Sequence, residues 1–165
     1  MKNLLGAVVV LLGTTVVQAQ DHADCPMAHS KSKGAGVDRR HDEVTGLNHE
    51  HAGHHFLLAP SGGTIRLEVA EAGQEEARDR IREHLRVIAR SFAAGDFALP
   101  MLIHDQVPPG VEVMKKVKAA IRYDFAPTDK GGEVRISTTD PAALAAVHTF
   151  LRFQIEDHGT GDPTE

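Results

Sequence analysis

The feature that most constrains the fold is a pattern that occurs twice in the chain. Each copy has an apolar stretch, a turn that ends in two glycines, and a stretch in which apolar residues alternate with polar ones. The copies are "FLLAPSGGTIRLEV" and "DFAPTDKGGEVRIST". They align when Gly62–Gly63 is set on Gly131–Gly132. A helical pattern follows each copy. Because one strand–strand–helix unit cannot bury both of its faces, the two are expected to share a sheet. The sequence therefore predicts an α+β domain, a duplicated strand–strand–helix unit with about four antiparallel strands and helices packed on one side.

Turn and cap residues set the limits of the predicted elements. Gly95 is expected to end the first long helix, and Asp140-Pro141 to begin the second, since aspartate caps free amides and proline is tolerated at the first helical position. A proline-containing loop and a short helix around "VEVMKKVKAA" are expected between the two units. We predict one folded domain over residues 54–158 and a disordered tail over residues 159–165.

The first 19 residues have the layout of a secretory signal peptide. Met1-Lys2 gives a positive start, and the uncharged apolar run that follows is too short for a comfortable membrane span. Val17 and Ala19 occupy the positions where small residues precede a cleavage site. We expect cleavage after Ala19 and a soluble periplasmic protein with no membrane association; a retained N-terminal anchor is the alternative.

Composition limits the partners and draws attention to histidine. The net charge of −5, with no basic block, argues against nucleic acid as a partner. The single cysteine excludes an intramolecular disulfide, so stability must come from packing or from a bound ligand. Of the 11 histidines, seven fall within residues 20–55. We predict that residues 20–53 form a flexible, histidine-rich leader.

The stretch "CPMAH" in this leader carries residue types that bind soft metal ions. Cys25, Met27 and His29 supply a thiolate, a thioether and an imidazole, a set that suits Cu(I) and tolerates Zn(II). The stretch resembles the CPMH core of small heavy-metal-binding segments in exported and membrane metal-handling proteins. The alternative is a flexible tail with an incidental thiol.

The stretch "HEHAGHH" contains closely spaced imidazoles, which can converge on copper, zinc or nickel ions. It resembles the H-x-H-x-D-H zinc motif of metallo-β-lactamase-like hydrolases, with His49, His51 and His54 in register. Gly53 stands where that motif requires aspartate, so a hydrolase is excluded. If His54 and His55 lie on a strand, they point to opposite faces, and only one of them can reach the core. A solvated histidine-rich linker is the alternative.

Histidines within the predicted domain form a further candidate site. His84 and His148 occupy equivalent positions of the two long helices, near the apolar faces. They could converge across a pseudo-twofold axis together with one of the strand histidines; for each one alone, a core histidine with a satisfied hydrogen bond is the alternative. Met101 and His104 could add ligands from the proline-bounded loop, where ordinary loop packing is the alternative.

Beyond the leader, the chain resembles a family of small exported bacterial proteins of unsettled function. The likeness covers residues 54–158. It lies in "HHFLLAPSGGTIRLEV", "FAAGDFALPMLIH", "PPGVEVMKKVKAAIRY", "GGEVRISTTDPAALAAVH" and "FLRFQIEDH". The resemblance implies an exported single domain and brings no activity with it.

Three functions are compatible with these features. The leading hypothesis is a periplasmic metal-binding protein, with copper the favoured ion and zinc the other candidate, acting in sequestration, delivery or resistance. The second is a non-metal module that forms a homodimer or binds a partner through the second long helix, whose Phe150 and Phe153 lie away from its main apolar stripe. The third is a small enzyme that uses a metal or a core histidine, although no catalytic residue can be assigned.

Overall fold

The computed structural model describes residues 26–47, 52–71 and 73–165, and side chains from residue 36 onward. The elements, in chain order, are α1 Pro26–Thr45, β1 Ala52–Ala59, β2 Gly62–Val69, α2 Glu75–Ala94, α3 Ala98–His104, α4 Val111–Lys116, a 3-10 turn Lys118–Ala120, β3 Ile121–Pro127, β4 Gly131–Thr138 and α5 Pro141–His158. None of the helices in the described part of the chain combines the length and apolar character needed to cross a membrane.

The four strands form one antiparallel sheet in the order β1-β2-β4-β3, which confirms the predicted α+β class. Phe56 lies opposite Ile65 in the first hairpin, and Phe125 lies opposite Val134 in the second. When the residues of the first hairpin are aligned with those of the second by setting Gly62–Gly63 on Gly131–Gly132, the strand pairing of the first hairpin becomes that of the second. The same alignment maps the central β2–β4 pairing onto itself. The sheet thus has the internal symmetry expected of two equivalent strand–strand units.

The second glycine of each turn lets a long helix approach the sheet. A Cβ atom at Gly63 would lie 2.3 Å from Cδ1 of Leu151 on α5 and 2.4 Å from the carbonyl oxygen of Leu57. At Gly132 it would lie 2.7 Å from the ring of Phe125 and 3.2 Å from Cδ1 of Leu85 on α2. Both distances at Gly63 are too short for any side chain, so the repeated glycines are required by packing.

The core lies between one face of the sheet and the helices. α2 packs mainly on β3 and β4, whereas α5 packs mainly on β1 and β2. The largest fully buried side chains are Phe92, Phe97, Phe150, Leu67, Ile81, Leu85, Met114, Ile136 and Leu151. On the opposite face of the sheet, Arg66 of β2 and Arg135 of β4 form ion pairs of 2.7 and 2.6 Å with Glu133 of β4, whose side chain is buried. The alternation of apolar and charged residues along these strands therefore separates the core from the opposite face.

The predicted end of α2 and the predicted start of α5 are confirmed, and an additional helix lies between them. Gly95 closes α2 in the left-handed conformation, and the Asp140 side chain accepts a hydrogen bond of 2.8 Å from the Ala143 amide at the start of α5. The predicted proline-containing loop instead contains α3, where Pro100 lies in the first turn and needs no amide hydrogen bond there. α3 consequently places His104 on a helix.

The structure differs from the expected flexible leader over residues 26–47. These residues form α1 and a short extension, and α1 packs against α3 and α5. Val37 and His41 are 2% and 3% exposed, and Leu47 joins the main core. These apolar residues are too isolated to give a periodic pattern, so helix formation here depends on tertiary packing. Cys25, His49 and His51 lie outside the described residues, as do the side chains of Met27 and His29.

The C-terminal residues also differ from the prediction of a disordered tail. Gly159 and Gly161 adopt positive φ, and the chain turns back toward β1. The Asp162 carboxylate accepts a hydrogen bond of 2.9 Å from the Phe56 amide and lies 2.9 Å from Nδ1 of His55. Two glycines in a polar segment are as typical of a tail as of a turn, so the sequence alone did not distinguish the two.

Candidate metal centre

Among the described residues, five histidine rings line one cavity of about 50 Å³ between the sheet and the helices. Each comes from a different element: His41 from α1, His54 from β1, His84 from α2, His104 from α3 and His158 from α5. The remaining wall is mostly apolar and includes Phe56, Ile65, Leu67, Leu85, Ile88, Phe92, Leu99, Ile103 and Phe150. The fold thus gathers imidazoles that are far apart in sequence into one largely apolar space.

His41 lies between His54 and His84, and the spacing of these three rings is the most suitable in the cavity for binding one metal ion. Its ring centre is 4.5 Å from that of His54 and 5.7 Å from that of His84, with ring planes nearly perpendicular in both pairs. Two imidazoles bound to one tetrahedral ion at about 2.0–2.1 Å have ring centres about 5 Å apart. Within the described residues, no three His, Cys, Asp or Glu side chains are already arranged to hold a metal ion. Rotation of these rings would therefore have to accompany binding.

The ring of His41 is buried beside the Asp42 carboxylate. Neither Nδ1 nor Nε2 has a hydrogen-bond partner among the described residues, and Oδ1 of Asp42 is 3.7 Å from Nδ1. An unsatisfied buried polar atom costs about 1–3 kcal/mol. Unpaired nitrogens on a buried ring that lies beside two other imidazoles are available for a ligand.

Burial keeps the three central histidines neutral. Desolvation lowers the pKa of His41, His54 and His84, and repulsion between neighbouring imidazoles lowers each of them further. The carboxylates of Asp42 and Asp38 act in the opposite direction on the pKa of His41, which nevertheless stays below its ordinary value. The pKa of His84 falls to about 4, and that of His54 lies well below its ordinary value. Neutral imidazole is the form that binds metal ions, so at neutral pH no proton has to be displaced.

The two neighbouring histidines of β1 have different surroundings. His54 points inward and stacks on His158, with ring centres 5.2 Å apart. His55 points outward, where its side chain is half exposed and its Nδ1 donates to Asp162. Of this pair, therefore, only His54 belongs to the cavity.

His148 does not join His84 in the cavity. Its Nε2 donates a hydrogen bond of 2.9 Å to the carbonyl oxygen of Ala59 at the end of β1. The predicted convergence of the two equivalent helix histidines is therefore absent, and the hydrogen-bonded alternative describes His148. The surroundings of the two histidines differ. His41 of α1 and His104 of α3 share the cavity with His84, whereas His148 contacts the end of β1.

His104 lines the cavity but has both ring nitrogens engaged. Its Nδ1 donates to Oδ2 of Asp157 at 2.6 Å, and its Nε2 lies 2.9 Å from Oε1 of Gln154. Burial lowers the pKa of His104, although the hydrogen bond to Asp157 acts in the opposite direction. Met101, its expected companion, is not part of the cavity wall. His104 is consequently a structural neighbour of the candidate ligands.

Two cavity histidines, His41 and His158, were not among the sequence-based candidates. His158 follows Leu151 and Ile155 at helical spacing, so the apolar stripe of α5 could have indicated that it faces inward. Its ring is 5.0 Å from that of His104, and its Nδ1 is 3.9 Å from Oδ1 of Asp38. For His41 the only signal is Val37 four residues earlier, which is too little to predict a buried face.

The donor set suits borderline transition-metal ions. Three neutral imidazoles lie together, and no carboxylate or thiolate lines this cavity in the part of the chain described. No protein-family model, curated protein or solved structure matches this chain. Any function must therefore be argued from the site itself.

Proposed function

We propose that this chain is a periplasmic metal-binding protein whose histidine cavity holds one copper or zinc ion through His41, His54 and His84. The observation that carries the proposal is the buried His41 ring, whose two nitrogens lack hydrogen-bond partners among the described residues while its neighbours are neutral imidazoles. His158 is a candidate fourth ligand, because it stacks on His54. Sequestration or delivery of the ion is the corresponding role.

The nature of the ligands favours copper in its divalent state, followed by zinc. Imidazole nitrogens are borderline ligands, and affinity for such a site rises along the first-row series to Cu(II) before falling at Zn(II). Cu(I) prefers soft sulfur ligands, which Cys25 and Met27 of the leader would provide. We therefore propose that the leader captures the ion and that the cavity holds it.

The alternative of a partner-binding module through α5 has less support. α5, which is described throughout, exposes no large apolar side chain. Its Phe150 packs against Phe92 and Phe97, and its Phe153 lies against His104. Helices α1 and α4 contact α5, so its second apolar side is covered within the chain.

A metal titration of the mature protein tests the proposal. We expect one equivalent of Cu(II) or Zn(II) to bind more tightly than about 10 μM, or roughly 7 kcal/mol of binding free energy. His54→Ala should weaken binding at least about tenfold. His55→Ala is the matched control, since it removes an adjacent imidazole from the opposite face and should leave the affinity unchanged.

The contribution of the leader needs point substitutions instead of truncation. A chain that begins at Phe56 would lose His41 and His54 together with the leader, so its failure to bind would not locate the site. Cys25→Ser in the full mature chain should weaken Cu(I) binding and leave Zn(II) binding at the cavity intact. If the wild-type protein binds neither copper nor zinc, or if His55→Ala weakens binding as much as His54→Ala, the proposed site is wrong.

A further inference from the structure

The proposed ligands come from three separate elements of the fold, one of which is the N-terminal helix. We infer that a bound ion fastens helix α1 to the rest of the domain, so that α1 acts as a metal-dependent clasp over the cavity. The inference rests on the proposed metal site and concerns the opening and closing of that same site. It requires only that His41, His54 and His84 bind one ion together.

An ion held in this way would connect three elements of the fold through their side chains. His41 belongs to α1, His54 to the edge strand β1 and His84 to α2. α1 packs mainly against α3 and α5, and the ring of His41 brings it into contact with the histidines of β1 and α2. Coordination would turn these ring contacts into bonds to a common ion.

The attachments of α1 to the core are otherwise few. In the part of the helix whose side chains are described, Val37 is the only large apolar residue that is buried, since Val44 is 40% exposed. Arg40 donates a hydrogen bond to the Ile103 carbonyl, and Asp38 lies near His158. Gly34 and Gly36 each lower helix stability by about 1 kcal/mol relative to alanine. Leu47, two residues beyond the end of the helix, is a second apolar anchor in the core. The helix therefore has few apolar anchors and a weak intrinsic tendency to form.

His41 gives the docked helix different stabilities with and without the ion. Docking buries both of its ring nitrogens without hydrogen bonds to the described residues, which opposes docking in the absence of a ligand. A bound ion satisfies one nitrogen directly and adds its own binding free energy to the docked state. Because a ligand that binds one state stabilises that state by mass action, metal shifts α1 toward the docked position. Loss of the ion favours release of α1, and the cavity then opens on the side of His41.

Amide hydrogen exchange of the full mature protein tests this clasp, with Zn(II) as a redox-inactive probe. We expect zinc to slow exchange in the second half of α1, residues 36–45, by about tenfold or more, because the ion stabilises the docked helix. Exchange in β3, which contributes no residue to the cavity, should change little. Mg²⁺, which prefers oxygen ligands, should have no effect.

Two variants separate the clasp from general stabilisation. His41→Ala should abolish the zinc-dependent protection of α1 and retain weaker zinc binding through His54 and His84. His84→Ala, on α2, should weaken zinc binding and reduce the protection of α1 at a fixed zinc concentration, since only His41 and His54 remain to hold the ion. Because α1 itself is unchanged in this variant, the reduction cannot come from a folding defect in α1. His55→Ala should behave like the wild type.

The outcomes distinguish the clasp from the metal site. If calorimetry detects zinc binding and the exchange of α1 stays the same, the clasp is wrong and the proposed function stands. The clasp is also wrong if His41→Ala retains the zinc-dependent protection. If no zinc binds, the proposed function and the clasp both fail.

Discussion

At the scale of single residues, small changes of position decide what each side chain can do. His54 and His55 are adjacent on β1, and one faces four other imidazoles while the other meets solvent and Asp162. Strand alternation makes this difference predictable once the strand is recognised, but the direction of the alternation had to come from the pairing of β1 with β2. A single residue of register shift would have exchanged their roles.

Gly63 provides a test of packing at the residue scale. Gly63→Ala should destabilise the fold by about 1–3 kcal/mol, because the added methyl would overlap Leu151 and the Leu57 carbonyl. Gly53→Ala is the matched control, since it lies on the same hairpin with its nearest neighbour atom 3.8 Å away. Urea unfolding curves of the two variants should differ in midpoint; equal midpoints would mean that the sheet and α5 can separate without cost.

At the scale of elements, local sequence signals were sufficient to predict a helix where it has its own cap residues and a periodic apolar face. α2 ends at Gly95, and α5 begins at Asp140 and ends at Gly159, all recognisable cap residues. The apolar spacing of both helices locates the core face. α1 lacks such signals, because its second half contributes one buried apolar side chain and a histidine. Helices of this kind depend on the surface that receives them, which the linear sequence does not display.

Asp140 tests the cap of α5. Asp140→Ala should lower the free energy of unfolding by about 1 kcal/mol, since it removes the acceptor for the Ala143 amide. Asp129→Ala, in the exposed turn between β3 and β4, should change stability by less than about 0.5 kcal/mol. Thermal unfolding at neutral pH measures both, and equal effects would show that the cap contributes nothing.

At the scale of the whole molecule, the histidine cavity makes stability depend on pH. His41, His54 and His84 have lowered pKa values in the folded protein, so between pH 6.5 and about 4 the unfolded chain binds more protons than the folded one. Their contribution is therefore complete above pH 6.5 and is lost as the pH falls toward 4. His84 alone accounts for a loss on the order of 3 kcal/mol.

Urea unfolding of the metal-free protein across this pH range checks the expectation. The free energy of unfolding should decrease steadily below pH 6.5, and His84→Gln should make the decrease shallower because one depressed imidazole is gone. Stability that stays constant from pH 6.5 to 4 would show that these rings are not buried together.

Local signals in the chain were enough to establish the α+β class, the two equivalent hairpins and the limits of the long helices. Those features follow from turn chemistry and from periodic burial, which are properties of neighbouring residues. Only the tertiary structure shows which histidines line the cavity. His41 and His158 lie there with His54 and His84, whereas His148 does not. The site is assembled where α1 and α3 meet one half of a nearly symmetric sheet, so its composition depends on contacts between residues that are distant in sequence.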